Sequence, residues 1–326
     1  MGYDSVITRA NAAALIPEEV SREIIKEVPQ ASTCLSLMRK LPNMSRKQLR
    51  MPILSAFPTA YWVTGEADQV ETPASHGLKQ TTKVEWADKY INAEEIAVVV
   101  PIAQQVLDDV DYDIWAEVKP AIVEEFGRII DLAILYGTNA PATFPSDILT
   151  LATAAGNVVA LGTGTDLYDD VWSENGVLQT IRSDGYRPNG FVAGLTMEGR
   201  LDGLRSSDGQ ILNLVANPQG QEGVYTIKGM RARVPTNGAF DETQSLMIAG
   251  NWNKAVFSIR QDMTFDIASE ATITDSTGAV QYNLFMQDMK ALRCVMRMGW
   301  QIPNPINRIQ STEGLRCAFG VLTPAA

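Results

Sequence analysis

At 326 residues, with 45% hydrophobic and 20% charged residues, the chain can form one large domain or two ordinary ones around a substantial core. A net charge of −11, from 27 basic and 38 acidic residues, excludes the basic footprint by which proteins grip phosphate backbones, so any nucleic acid nearby would not be held tightly. No apolar run reaches the roughly 18 residues that span a bilayer, and the N-terminus has neither the pattern of a secretory signal nor, with Val6 where Ser or Thr is wanted, that of a myristoylation site; a protein soluble and intracellular when made is expected.

Pro17 followed by EEVSREIIKEV, with Val20, Ile24 and Val28 every fourth residue, predicts a short amphipathic helix that Pro29 stops. KLPNMSRKQLRMPILSAFP suits extended strands that begin a sheet. From Ala60 a long polar excursion follows: AYWVTGE is strand-like, VETPASHG carries turn chemistry, and KVEWADKYINAEEIAVVV reads as a returning strand. A hairpin so long and so poor in core-forming residues cannot bury a core of its own, so it is expected to lie against something else.

Pro101 with Ile102, Val106 and Val110 predicts a short helix ending near LDDVDYD. A longer helix follows, with the stripe Val118, Ile122, Phe126, Ile129, Ile130, Ala133 and Ile134 opposite Glu124, Glu125, Arg128 and Asp131. Pro120 should kink it or mark where its regular part begins, and Gly137 should close it.

Residues 140–164 turn to Pro, Ala, Thr and Gly, which predicts loop and a domain boundary. Beyond it, LYDDVWSENGVLQTIRSDG reads as one helix closed by Gly185, RPNGFVAG as a buried strand, MEGRLDGLRSSDGQILN as helix and turn, and VYTIKGMRARVPTNG as strands. This describes a compact α/β unit. SLMIAGNWNKAVFSIRQDMTFDIASEA predicts two more strands, LFMQDMKALRCVMRMGWQI a helix or a strand, and the tail a final strand or two.

Constellations that would carry chemistry fail on inspection. Asp109, Asp111 and Asp113 alternate like calcium-loop ligands, but Ile114 and Pro120 stand where Gly and Glu are required, so helix capping is the better reading. His76, the sole histidine, lies in the polar arm, and LGTGTD lacks the spacing of a phosphate-binding loop. Cys34, Cys294 and Cys317 are too few and too widely spaced for a disulfide framework or a zinc site, and read as reduced packing residues. No catalytic residue, metal site or cofactor is expected. Tyr61, Trp62, Trp86 and Tyr90 flank or lie in the arm, where anchoring to a neighbour is favoured over packing on the chain's own body.

In this order, the parts resemble the HK97-fold major capsid proteins of tailed bacteriophages over nearly the entire chain. AYWVTGE is similar to that family's entry to its extended E-loop, with Gly65 inserted before the glutamate; IAVVVPIAQQVLDDVDYDIWAEVKPAIVEEFGRIIDLAILYG is similar to its short helix and spine helix. RPNGFVAG, DGLRSSDGQIL and IKGMRARVP resemble the A-domain core, and AGNWNKAVFSIRQDMTFDIASEA with FMQDMKALRCVMRMGWQIPNP the closing strands and helix of the P-domain.

The resemblance implies an α+β fold: an N-terminal arm over 1–30, the start of the P-domain over 31–57, an E-loop over 58–95, P-domain with spine helix over 96–140, an A-domain over 141–250, and a P-domain return with C-terminal strands over 251–326. It implies a non-enzymatic subunit that self-assembles into pentamers and hexamers of an icosahedral head enclosing double-stranded DNA, made in the host cytoplasm and ending in the virion. Tyr61, Trp62, Glu66, Lys79, Lys83, Trp86 and Lys89 are the expected inter-subunit contacts. Some relatives join an E-loop lysine to a neighbour's asparagine with the help of a glutamate; Asp88, Asp288 and Val295 occupy those places, so no self-catalysed cross-link is expected. The arm begins soon after Met1, so a separate scaffolding protein is the expected partner, with a portal and a possible decoration protein. An encapsulin-type nanocompartment shell is the alternative that shares the fold.

Overall fold

The computed structural model describes residues 32–60, 81–109, 113–205, 215–216 and 224–325. The helix expected over 17–28 and the middle of the polar arm lie outside them. The described chain opens with α1 (Thr33–Leu37) and β1 (Arg39–Lys40), then β2 (Gln48–Ala56) and, after the arm, β3 (Glu85–Asn92) and β4 (Glu94–Ala103). The expected returning strand is thus two strands that part at Ala93, β3 pairing with β2 and β4 joining a different sheet.

Pro101 does not start a helix. It lies within β4, opposite Ala291, and β4 is the outer strand of its sheet, where a residue without an N–H is tolerated. Helix α2 (Gln104–Asp109) follows, and then α3 (Ile114–Tyr136), the long helix predicted from its apolar stripe. Asp113 caps α3 by accepting from the Trp115 and Ala116 N–H groups at 3.0 and 3.3 Å, as the capping reading requires. The helix runs through Pro120 and closes on Gly137, at φ 67°, whose N–H reaches the Ala133 carbonyl. Asp131 is not on the solvent side as its charge suggested: it is fully buried, because α1 packs there and supplies its donors.

The span 140–164 is not all loop. It contains α4 (Ile148–Ala155), capped by Asp147 on the Thr150 N–H at 2.8 Å, and β5 (Val158–Ala160). The single helix expected over 167–185 is two, α5 (Leu167–Trp172) and α6 (Val177–Ser183). They part at Gly176, where a Cβ would press into the Val171 carbonyl at 2.7–2.8 Å. Then come β6 (Gly190–Ala193), α7 (Leu195–Asp202), β7 (Val215–Ala216), β8 (Val224–Ile227), β9 (Met230–Arg233) and β10 (Met247–Gly250). The C-terminal third supplies β11 (Val256–Ala268), β12 (Thr272–Thr274), β13 (Val280–Asn283), β14 (Met289–Gln301) and β15 (Phe319–Thr323). The LFMQDMKALRCVMRMGWQI segment therefore resolves as a turn and a strand.

Two larger sheets organise most of these strands, and β2–β3 and β12–β13 pair separately. A four-stranded sheet, ordered β1-β11-β14-β4, is dominated by the antiparallel pair β11–β14, whose 13-residue strands extend for about 40 Å. A seven-stranded sheet is ordered β5-β15-β10-β6-β9-β8-β7. Its centre, β6, β10 and β15, is almost wholly buried, which explains the continuous apolar runs GFVA, MIAG and FGVL. The last strand thus belongs with the sheet of residues 158–250, so the segment 251–326 serves both sheets. One core joins them: Phe126, Ile130 and Ile134 of α3 lie in the same cluster as Trp300 and Leu292 of the long ladder, Phe191 and Phe319 of the seven-stranded sheet, and Trp252 of the turn that follows β10. Trp252 packs edge-on to Phe319 at 5.1 Å, and its indole N–H donates to the Gly190 carbonyl at 3.1 Å, so its polar atom is satisfied inside the core.

Candidate assembly surface

The β2–β3 pair forms a sheet of its own. Its alternation sorts the side chains onto two faces. Leu49, Met51, Ile53, Ala87, Lys89 and Ile91 share one, and cross-strand partners Arg50–Tyr90, Pro52–Asp88 and Leu54–Trp86 share the other. On the first face, Ile91 is fully buried and joins Met44, Ala93 and Val256, with Leu49 and Met51 packed against them; this small cluster seats the ribbon on the body. Gly299 of β14 allows the close seating, since a Cβ there would collide with the Asn92 carbonyl.

The second face is open. Trp86 is 69% exposed and Tyr90 40%, and Arg50 and Asp88 lie 3.5 Å apart between them. A large apolar ring left in solvent at such a place is a ready anchor for another surface. Of the residues expected to make contacts, Trp86 lies on this open face. Lys83 precedes β3 and is paired with Glu85, whose hydrogen bond raises the lysine's pKa. Lys89 faces inward and bonds Glu313 at 2.8 Å. Tyr61, Trp62, Glu66 and Lys79 lie outside the described residues.

Sequence reasoning missed the segment 301–316, which runs beside the ribbon. Gln301 Nε2 donates to the Tyr90 carbonyl at 2.9 Å, and the Ile306 N–H to the Leu54 carbonyl at 3.2 Å. The Arg308 guanidinium lies over the Phe57 ring, 4.6 Å from its centre, and Lys89 reaches Glu313. The stretch QIPNPINRIQSTEG, with Pro303, Asn304, Pro305 and Asn307, carries no periodicity, so nothing in it pointed to a brace.

A second apolar surface stands at the far end of the long ladder. Of the twelve exposed large hydrophobics among the described residues, five lie between 267 and 286: Ile267, Val280, Tyr282, Phe285 and Met286. Phe285 and Met286 are 73% and 79% exposed on the turn between the β12–β13 hairpin and β14. Val106 of α2 is exposed at the same end, where the Gln104 N–H bonds the Asp288 carbonyl at 2.8 Å. Such concentration at one tip exceeds the scatter of single apolar residues on ordinary surfaces.

The chemistry of the remaining groups is inert. Cys34, Cys294 and Cys317 are buried free thiols; burial pushes Cys317 up to about 11 and Cys34 well above its ordinary value, so neither is a thiolate at neutral pH. Burial also raises the Asp131 carboxyl, although three donors favour its charged form. Asp88, Asp288 and Val295 have three different settings: beside Arg50, in a turn at φ 47°, and buried in β14 opposite Ala97. Among the described residues, no group of His, Cys, Asp and Glu could hold a metal ion, and no helix is long and apolar enough to cross a membrane.

Two exposed apolar surfaces, on the β2–β3 ribbon and at the far end of the long ladder, are what a subunit built to meet other surfaces presents. The chain belongs to the phage capsid family, whose model matches residues 12–309. It is 23% identical over 308 residues to the major capsid protein of Staphylococcus phage 80alpha, covering 92% of this chain and 85% of that one. A solved chain from Microbacterium phage Oxtober96 superposes with a TM-score of 0.82 at 34% identity, covering 98% of this chain and all of the other. One from Mycobacterium phage Adephagia gives 0.80 at 27% identity over 99% of each. The capsid of a native GTA particle shares the fold at a TM-score of 0.67 and 15% identity, covering 99% of this chain and all of that one. The fold is the α+β, HK97-like capsid fold, and membership of the family indicates a place in the virion.

Proposed function

We propose that the chain is the major capsid protein of its phage and assembles with itself into the pentamers and hexamers of an icosahedral head around double-stranded DNA. The observation that carries this reading is the β2–β3 ribbon, seated on the body by one face while the other presents Trp86 and Tyr90 to solvent. In this reading the ribbon is the root of the E-loop, α3 is the spine helix, the long ladder is the P-domain sheet and the seven-stranded sheet is the A-domain. Heterologous contacts that close around symmetry axes build a shell from many modest interfaces.

The bare tip at Phe285 and Met286 supports a second contact, between the ends of P-domain sheets. The net charge of −11 fits a wall that encloses DNA without gripping it. Scaffolding, portal and decoration proteins are the further partners of this reading, and assembly takes place in the host cytoplasm. The shell holds by packing and hydrogen bonding alone, because Asp88, Asp288 and Val295 offer no lysine, asparagine or glutamate.

Electron microscopy of the purified full chain tests assembly: closed shells of uniform diameter are expected, and small oligomers under every condition would overturn the reading. On a denaturing gel the shells should give a single band at the monomer mass of 35.6 kDa. A ladder of covalent multimers would overturn the absence of cross-linking.

A further inference from the structure

A cavity of about 340 Å³ lies between α4, the ribbon and the segment 301–316 that braces it. Its walls include Leu151 and Ala154 of α4, Ile302 of the brace, Ala318 before β15, Lys89 of β3, and Arg316. Arg316 is only 5% exposed, yet none of the ion pairs among the described residues includes it. Its Nη1 donates to the Ser311 carbonyl at 2.7 Å and its Nη2 to the Asn304 carbonyl at 3.0 Å, while Nε has no partner. Asn304, at φ 45°, holds the arrangement from the other side: its Nδ2 donates to the Arg316 carbonyl at 2.9 Å, and its Oδ1 accepts from the Tyr186 hydroxyl at 2.8 Å. The guanidinium is therefore fixed in place with its Nε–H unused, and two neutral carbonyls do not balance a buried charge. The carboxylates of this region are engaged elsewhere. Glu313 also lines the cavity but bonds Lys89 at 2.8 Å, and Asp184 accepts from Asn157 Nδ2 at 2.7 Å and from the Cys317 N–H at 2.9 Å.

We propose that this cavity binds a carboxylate carried on a short apolar stem. The missing partner of Arg316 is an anion, and a planar guanidinium with a free Nε–H matches a carboxylate. Leu151, Ala154, Ile302 and Ala318 give the stem apolar walls, which inorganic phosphate would leave unused. Lys89 adds a positive charge to the cavity and Glu313 a negative one, so the two residues tune affinity in opposite directions. The bound carboxylate touches α4, the brace and β3 at once, and so ties the ribbon to the body.

The test titrates the full chain, as unassembled subunit, with butyrate at constant ionic strength, following heat by calorimetry and the Arg316 Nε–H resonance by NMR. Loss of that signal in Arg316→Gln assigns it. Saturable binding that moves the resonance is expected, and chloride in place of butyrate should give neither effect. Formate, which has no stem, should bind about tenfold more weakly or worse. Phosphate binding more tightly than butyrate would overturn the apolar stem. Lys89→Ala should weaken butyrate about threefold and Glu313→Gln tighten it about threefold, the scale of screened charges. Butyrate binding that leaves the Nε–H unmoved, or that persists unchanged in folded Arg316→Gln, overturns the site. Where Arg316→Gln loses its native circular dichroism, the Lys89 and Glu313 variants decide, and responses of the same sign overturn it. Sedimentation velocity distinguishes the natural sources of the carboxylate. Self-association untouched by butyrate assigns a free small carboxylate, and self-association that butyrate abolishes assigns an acidic side chain of a second copy.

Discussion

Lys89 and Glu313 are 224 residues apart in sequence and meet at 2.8 Å, which ties the middle of β3 to the turn before the last strand. The two side chains are 34% and 57% exposed, so water screens the pair and its contribution is about 0.2–1 kcal/mol. Its value is geometric: with the Gln301–Tyr90 and Ile306–Leu54 bonds it braces the ribbon. Lys89→Ala should leave the unfolding midpoint nearly unchanged while hydrogen exchange quickens across 85–92. A double-mutant cycle with Glu313→Ala should return a coupling of that same small size, shrinking as salt is raised.

Trp86 and Tyr90 share the open face of the ribbon, and neither belongs to the buried clusters of the described residues. Replacing both with Ser should therefore spare subunit stability within about 0.5 kcal/mol, as for surface positions generally. If they anchor a neighbour, each truncation removes about 2 kcal/mol per contact, roughly a thirtyfold rise in the concentration needed for assembly. Light scattering against protein concentration measures this threshold. An unchanged threshold for the double variant would remove the ribbon face from the interface.

What the sequence made legible follows from how strongly each element announces its own periodicity. The stripe from Val118 to Ile134 and Gly137 after it made the body and end of α3 legible, while its start at Ile114 lies ahead of Pro120, where the regular part could equally have begun. The helix α4 was hidden because ILTLATAA lies in a Pro-, Thr- and Gly-rich stretch, and its one signal, Asp147 three residues before Thr150, is short. Pro101 was misread because its tolerance depends on β4 being an outer strand, a tertiary fact. Asp131 looked solvent-facing for the same reason: only the fold shows that α1 brings three donors to it. Trp86 and Lys89 were named as candidates on local pattern, but which faced outward depended on the pairing register of β2 and β3.

Phe285 and Met286 sit on a turn where neither contributes to the core. Phe285→Ser with Met286→Ser should leave the free subunit folded and make it more soluble, since an exposed apolar patch is removed. In the proposed shell the same change weakens contacts between capsomers more than those within them. Accumulation of free pentamers and hexamers by analytical ultracentrifugation, in place of closed shells, is the expected outcome. Intact shells of normal heat resistance would show that the tip stays in solvent.

Alkaline pH should destabilise the free subunit through its buried hydroxyls and thiols. Burial raises Cys317 from 9.0 to about 11 and Tyr136 from 10.0 to about 12, while the unfolded chain titrates at the lower values. Each group's folded-state pKa is raised, so its contribution is complete below the unfolded pKa and is lost as pH climbs to the folded one. For Cys317 that window is about pH 9 to 11, and a rise of that size corresponds to about 3 kcal/mol at most. Denaturation midpoints of wild type should fall across this window. Cys317→Ala, which loses only a small buried side-chain atom, should start slightly lower at pH 8 and decline less steeply to pH 11. Parallel profiles for the two proteins would mean that Cys317 ionises no differently in the folded and unfolded chains.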